Sequence, residues 1–462
     1  MDRRVVVGVL TAAVLGLAAC SADSSEPGPD ASGSPTSAAP TSARPLPKVD
    51  LTLGVYGTKA EIAAYRSMVT TYNLVSDNST VSVKSWPSRD AMVKYLRHTD
   101  AANPEPDVFL ASRADLGFLL ERRLTRPVDE LLDERSVDFG DGYSRNAIEG
   151  FSADRKLQCM PYAVSPAVVF YNTDLVDFTR MAKRGLDVPS DSLTKWNLSE
   201  FTAAATFASR PRTGAKGIAI DPTLDGIAPF VYAGGGSVFG DGMPPTSLAF
   251  SSGDTRNALS QILPVLRDPS LTLTKAQQKA ASPVQWFERG KLGMVVGTRS
   301  LVPELRRVKG LHFDVLPIPS ISTTATVGDV TGLCLAAQPA SVVAAADFLA
   351  YATSLDAVRQ VTRTGYLVPT NQQVALSEDF LQTDRQPAHS SVFNTATRAM
   401  VLTPYLDDAA QLDAAVEPDI RRLLLGTGSL DLDKVTERID ADGLTVLAPP
   451  TPTPSPSSSP SS

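Results

Sequence analysis

The stretch VDLTLGVYGTKAEIAAYRSMVTTYN (residues 49–73) contains two hydrophobic periods in succession. Val49, Leu51, Leu53 and Val55 alternate with Asp50, Thr52, Gly54 and Tyr56, the period of two that a half-buried strand requires. Beyond Gly57 the period lengthens to helical spacing, through Asn73. The pattern continues with STVSVKSW (79–86) as a strand, RDAMVKYLRH (89–98) as a helix, PDVFLA (106–111) as a strand and ADLGFLLERRL (114–124) as a helix. Strands alternating with helices of this length predict βαβ units and a parallel sheet, an α/β class. Strand-like PAVVFYN (166–172), LGMVVG (292–297), HFDVLPIP (312–319) and TGLCLAA (331–337) follow, separated by amphipathic helices such as 341–353.

The two ends are different material. An apolar run from Val5 to Ala19 follows Arg3 and Arg4 and closes on small residues. It is short of the roughly 20 apolar residues a spanning helix needs, and its order is that of a secretory signal. Leu17-Ala18-Ala19-Cys20 resembles the bacterial lipobox, which implies cleavage after residue 19 and a lipid on Cys20. Residues 20–47 and 449–462 are rich in Ser, Pro and Ala and almost free of large apolar side chains, so they read as a disordered tether and tail. The remaining 48–448 is long enough for two domains.

Composition narrows the function. With 43 Lys+Arg against 50 Asp+Glu the net charge is −7, and no basic block suggests nucleic acid as a partner. The chain has three histidines, His98, His312 and His389, none at metal-ligand spacing. No P-loop, G-x-G-x-x-G or G-x-S-x-G occurs, and YAGGGSVFGDG (232–242) fits no phosphate fingerprint. Neither catalysis nor a cofactor is indicated. Besides Cys20 only Cys159 and Cys334 remain, which in an exported chain are either one disulfide or two buried thiols.

Read in order, the core segments resemble the extracellular sugar-type solute-binding proteins of ABC importers, the maltose-binding-like family. The resemblance is carried by PEPDVFLASRADLGFLLERRLTRPVDELL (104–132), QCMPYAVSPAVVFYNTDL (158–175), KWNLSEFTAAA (195–205), AGGGSVFGDG (233–242), WFERGKLGMVVGTRSLVPEL (286–305), FDVLPIPS (313–320) and the segment 331–370. Each motif alone is weak; their order spans essentially the whole core. The resemblance implies a periplasmic-binding-protein type of fold, with two α/β lobes joined by hinge strands and a ligand cleft between them. It places 48–163 plus 318–345 in one lobe and 164–317 plus 346–448 in the other. It sets the Cys159 and Cys334 strands side by side at the hinge, which favours a bridge.

Sugar sites of this family stack aromatic faces on pyranose rings and bind hydroxyls with carboxylates, amides and arginine. On that basis the ligand-binding candidates are strand-end residues Tyr56, Thr58, Trp86 and Arg113, with Tyr162, Tyr232, Gly235 and Arg299 from the other lobe and the crossings. Each also has a bland alternative as a core or turn residue. Trp196, just before NLSE, reads instead as a residue that pins a helix. Many family members carry tryptophan where this chain has Arg299 and Ser300, and an arginine fork suits carboxylate or phosphate. The implied function is a monomeric, lipid-anchored substrate-binding component on the extracellular face of the cell membrane. It captures a sugar, or a polar or anionic sugar derivative, and delivers it to ABC permease subunits. The rival readings are a sensor or envelope lipoprotein on the same fold, and a surface-anchored hydrolase.

Overall fold

The computed structural model describes residues 48–448, with 243, 405 and 407 excepted. The signal-peptide, lipidation, tether and tail readings lie outside the described residues. The opening stretch folds as its two periods dictate. Strand Val49–Tyr56 buries Leu51, Leu53 and Val55, and helix Lys59–Val75 starts at a capping box in which Thr58 and Glu61 exchange hydrogen bonds. The strand pairs in parallel with Ser79–Trp86 and with Val108–Ser112.

The expected parallel sheet stops there. The first sheet continues antiparallel through Thr326–Ala336 and Cys159–Pro166 to a short edge at Val368–Pro369. Thr326–Ala336, 11 residues long, is its organising strand, because Thr125–Arg126 and Met400–Leu402 also pair with it. Cys334 stands directly opposite Cys159 in this ladder, and the two are joined by a disulfide closing a separation of 175 residues. In the chain-entropy picture a loop of that length is worth about 5 kcal/mol. A second sheet is built in the order Phe313–Leu316, Val168–Asn172, Leu292–Gly297, Lys216–Ala219.

The chain passes between the sheets three times. Pro166–Ala167 leads from the first sheet into Val168–Asn172, and residues 317–325 lead back to Thr326. Residues 403–408 then lead from Met400–Leu402 to helix Ala409–Leu425, whose Leu412, Val416 and Ile420 pack in the second core. The crossings are stitched side by side. Ala167 N–H donates to the Val327 carbonyl at 2.9 Å, Thr326 Oγ1 donates to the Ala167 carbonyl at 2.7 Å, and Thr326 N–H donates to the Ala399 carbonyl at 3.0 Å. Gly328 allows this closeness: a Cβ there would meet Met400 Sδ at 2.3 Å and the Ser165 carbonyl oxygen at 2.6 Å.

The expected lobe boundaries need correction. Residues 346–400 were expected in the second lobe, yet Phe348, Val358, Val368 and Met400 pack in one core with the first-sheet strands, while Phe393 meets Phe170 of the second sheet with ring centres 6.1 Å apart. The reason is local. Helix Val342–Ala352 returns onto the first sheet, setting Phe348 and Tyr351 each 5.0 Å from the Tyr72 ring, while Arg135 Nε holds Asp347 at 2.7 Å. The first boundary falls at Pro166–Ala167 rather than 163, since Val164 to Pro166 still pair in the first sheet. The chain beyond Met400–Leu402 packs on the other face of the second sheet, through the Ala409–Leu425 and Leu432–Leu447 helices.

Because three strands meet at Gly328, Gly328→Ala is expected to lower stability by about 1–3 kcal/mol, the usual range for overpacking. Urea unfolding of the two proteins checks this, and an unchanged midpoint would show that the junction yields.

Candidate functional site

A cavity of about 340 Å³ lies beside the crossings. Arg89, Asp90 and Ala114 reach it from the ends of first-sheet strands, and Leu224, Asp225, Ala228 and Tyr232 reach it from helix Leu224–Ala233. Val327, Leu402, Thr403, Pro404 and Leu406, from two crossings, together with Leu412 and Asp413 close it. The helix is aimed by its cap: Thr223 Oγ1 accepts from Gly226 N–H at 3.1 Å, which leaves Asp225 in the first turn on the cavity wall. At its other end Gly234 and Gly236 pack against Ala258 and Thr255, where a Cβ would come within 2.8 Å. The glycine run is thus a packed turn that carries Tyr232 and Phe239 to the cavity.

The charges around the floor are arranged in layers. Arg89 forms a two-pronged pair with buried Asp115, Nε to Oδ2 at 2.9 Å and Nη2 to Oδ1 at 2.7 Å. Arg113 Nη1 donates to the Thr403 carbonyl at 2.6 Å. Asp329, on the crossing strand, is pushed up to about 6 by burial, although Ser112 and the Val330 N–H bond to it and Arg89 attracts it. The Tyr56 phenol holds its proton more tightly through burial and then through Asp329 and Asp115. Burial raises Asp225 against the pull of Arg89, and it raises Asp413, to which Asp225 adds repulsion. A smaller recess of about 150 Å³ lies by Tyr56, lined by Glu61, Tyr65, Ser300, Thr331 and Tyr366 among others.

The structure distributes the eight candidate residues unevenly. Tyr232 lines the main cavity and Tyr56 the smaller recess. Arg113 ties the first sheet to the third crossing, and Thr58 caps its helix. Trp86 packs on Tyr95 with ring centres 5.0 Å apart, and Lys84 lies over it. Tyr162 is 2% exposed, 6.0 Å from the Tyr65 ring, with an unpartnered hydroxyl. Gly235 takes the left-handed conformation of the turn, φ 83°. Trp196 does pin its helix, Nε1 donating to the Pro317 carbonyl at 2.7 Å.

Arg299 is a correction. It is 1% exposed and lines neither cavity; its fork donates to the Gly365 carbonyl at 3.1 Å, Ser390 Oγ at 2.9 Å and the Phe380 carbonyl at 2.8 Å. The guanidinium also lies 4.5 Å from the Phe380 ring centre and 5.3 Å from that of Phe393. With all three nitrogens bonded inside the protein and the side chain buried away from both cavities, it is not placed to meet a ligand. Sequence reasoning missed Arg89, Asp225, Asp329, Asp413 and Phe239. Arg89 stood three residues past the strand end at which Trp86 was chosen, and Asp225 stood in the first turn after a Thr cap. Asp413 and Asp329 had no local signal.

The chain belongs to the bacterial extracellular solute-binding protein family, whose pattern matches residues 67–388. No curated protein sequence matches it. Among solved structures it is similar to an ABC substrate-binding protein from Listeria monocytogenes in complex with cycloalternan, at 17% identity and a TM-score of 0.70 over 86% of this chain and 98% of that one. It is also similar to the GacH receptor of Streptomyces glaucescens, solved unliganded and with acarbose, at 19% identity and a TM-score of 0.69 over 87% and 99%. The cyclic alpha-maltosyl-1,6-maltose binding protein of Arthrobacter globiformis matches at 18% and 0.68 over 87% and 99%. These likenesses establish the fold.

Asp329 gives a pH test. A carboxyl whose folded value, about 6, exceeds its unfolded one binds more protons folded than unfolded, so it lowers stability as pH rises through that window. Asp329→Asn is expected to stabilise the protein at pH 7 by about 1–3 kcal/mol and to lose that advantage near pH 4. Thermal melts across pH check it, and a gain that is equal at both ends would refute the assignment.

Proposed function

We propose that this protein is the lipid-anchored, extracellular substrate-binding component of an ABC importer, and that it captures a carbohydrate-like solute in the cleft beside the three crossings. The observation that carries the reading is the cavity itself. It takes walls from elements of both sheets, mixes apolar and aromatic surface with a few carboxylates, and sits where the chain passes between sheets. The cycloalternan and acarbose held by two of the similar structures, and the maltosyl-maltose specificity of the third, support the solute class.

The mechanism needs no covalent step. A solute that touches Arg89 and Asp90 on one wall and Asp225 and Tyr232 on the other stabilises the arrangement in which the walls are close. The bending falls at the crossings that join the two sheets. The closed form then docks on the permease, and the lipid on Cys20 keeps the protein at the membrane.

A thermal-shift screen against sugars, sugar phosphates and polyols tests the cleft. A true ligand at a hundred times its Kd adds about 2.7 kcal/mol of apparent stability, and Tyr232→Ala is expected to abolish most of that shift. Silence across the screen would remove the solute-capture reading. The anchor is tested separately. Cys20→Ser is expected to abolish lipid labelling and release the protein from the membrane fraction, and retention of both properties would overturn it.

A further inference from the structure

We propose that the solute held in this cleft carries a protonated amine. The inference rests on the solute-capture reading and deepens it by giving the ligand a charge. It also reverses the sign expected from Arg299.

The argument is an account of which charges at the cleft are already matched. Three arginines come into question. Arg89 is closed on Asp115 by two hydrogen bonds, Arg113 Nη1 is held by the Thr403 carbonyl, and Arg299 is buried elsewhere on Gly365, Phe380 and Ser390. The carboxylates are not matched in the same way. Asp225 and Asp413 line one cavity from two different helices, and among the described residues neither takes a hydrogen bond or an ion pair. Asp90 has only a 3.9 Å approach to Arg89, which Asp115 already occupies.

The setting leaves those charges without a protein cation closed on them. Leu224, Val238, Leu402 and Leu412 wall the cavity, while Asp90, Asp225 and Asp413 on its lining remain exposed. Desolvation makes Asp225 hold its proton more tightly against the pull of Arg89, and at Asp413 desolvation, then repulsion from Asp225 and Glu417, act in the same direction. Two carboxylates that line one cavity without partners and repel each other are relieved by one cation between them. Hydroxyl groups donate hydrogen bonds to such a pair but leave its charge in place, and a carboxylate or phosphate on the solute adds to the repulsion. Tyr232 and Phe239 supply the aromatic faces that receive both an ammonium group and the C–H face of a sugar ring. A cavity of about 340 Å³ takes a solute of one or two rings.

Calorimetry on the purified protein with three matched probe sets tests this: glucosamine, glucose and glucuronic acid, each as monomer and disaccharide. The amine set is expected to bind at least tenfold more tightly than the neutral set, with the acid set weakest. In Asp225→Asn/Asp413→Asn the amine set is expected to weaken roughly ten- to hundredfold, the range for a charge-assisted hydrogen bond. The neutral set is expected to change little. Asp225→Glu is expected to keep the amine preference, and melting curves confirm that each variant is folded. Neutral or acidic probes binding as tightly as amines, or the double variant weakening all sets equally, would overturn the charge and leave solute capture standing. No binding by any set would overturn both.

Discussion

Three lengths of backbone approach so closely at Gly328 that no side chain fits there, and the rest of the architecture follows from that contact. A Cβ at this position would collide with Met400 on one crossing and with Ser165 and Pro166 on another. Hydrogen bonds from Ala167 to Val327 and from Thr326 to Ala167 and Ala399 hold the three crossings in one ribbon. The Cys159–Cys334 disulfide fastens the same pair of strands at the far end of their ladder. One strand therefore organises the first sheet, carries Asp329 to within reach of Arg89 and Asp115, and serves as a path between the two sheets.

The cleft inherits its electrostatics from this arrangement. Asp329 is within reach of Arg89, Asp115 and Tyr56 because its strand runs beneath them, and burial rather than any one neighbour sets its proton affinity. Arg89 spends its fork on Asp115, which in turn accepts from Ser112 N–H at 3.3 Å and so shapes the end of strand Val108–Ser112. Inward-facing cations thus build the walls, while the solvent-reaching groups that remain are acidic. Arg299 plays the same part further off, joining the end of strand Leu292–Gly297 to the 365–390 segment in place of a ligand contact.

How far the sequence could be read differs by element. The strand and helix of 49–73 were legible because period and capping are local, and so was the cap-adjacent role of Trp196. The packing of 346–400 was misjudged because an amphipathic helix advertises an apolar face without saying which sheet it will cover. Arg299 was misjudged for the same reason. Its flanking residues place it at a strand end, but its burial depends on Phe380 and Ser390, some eighty and ninety residues away.

The sequence by itself determined the α/β alternation, the order of motifs that belongs to extracellular solute-binding proteins, and the pair of cysteines fit to bridge. These are properties of local period, spacing and residue type. Only the tertiary structure decided which carboxylates share the cleft and which arginines are already matched. Asp90, Asp225 and Asp413 lie far apart along the chain, and charge acts through distance in space, which the tertiary fold sets and no stretch of sequence records.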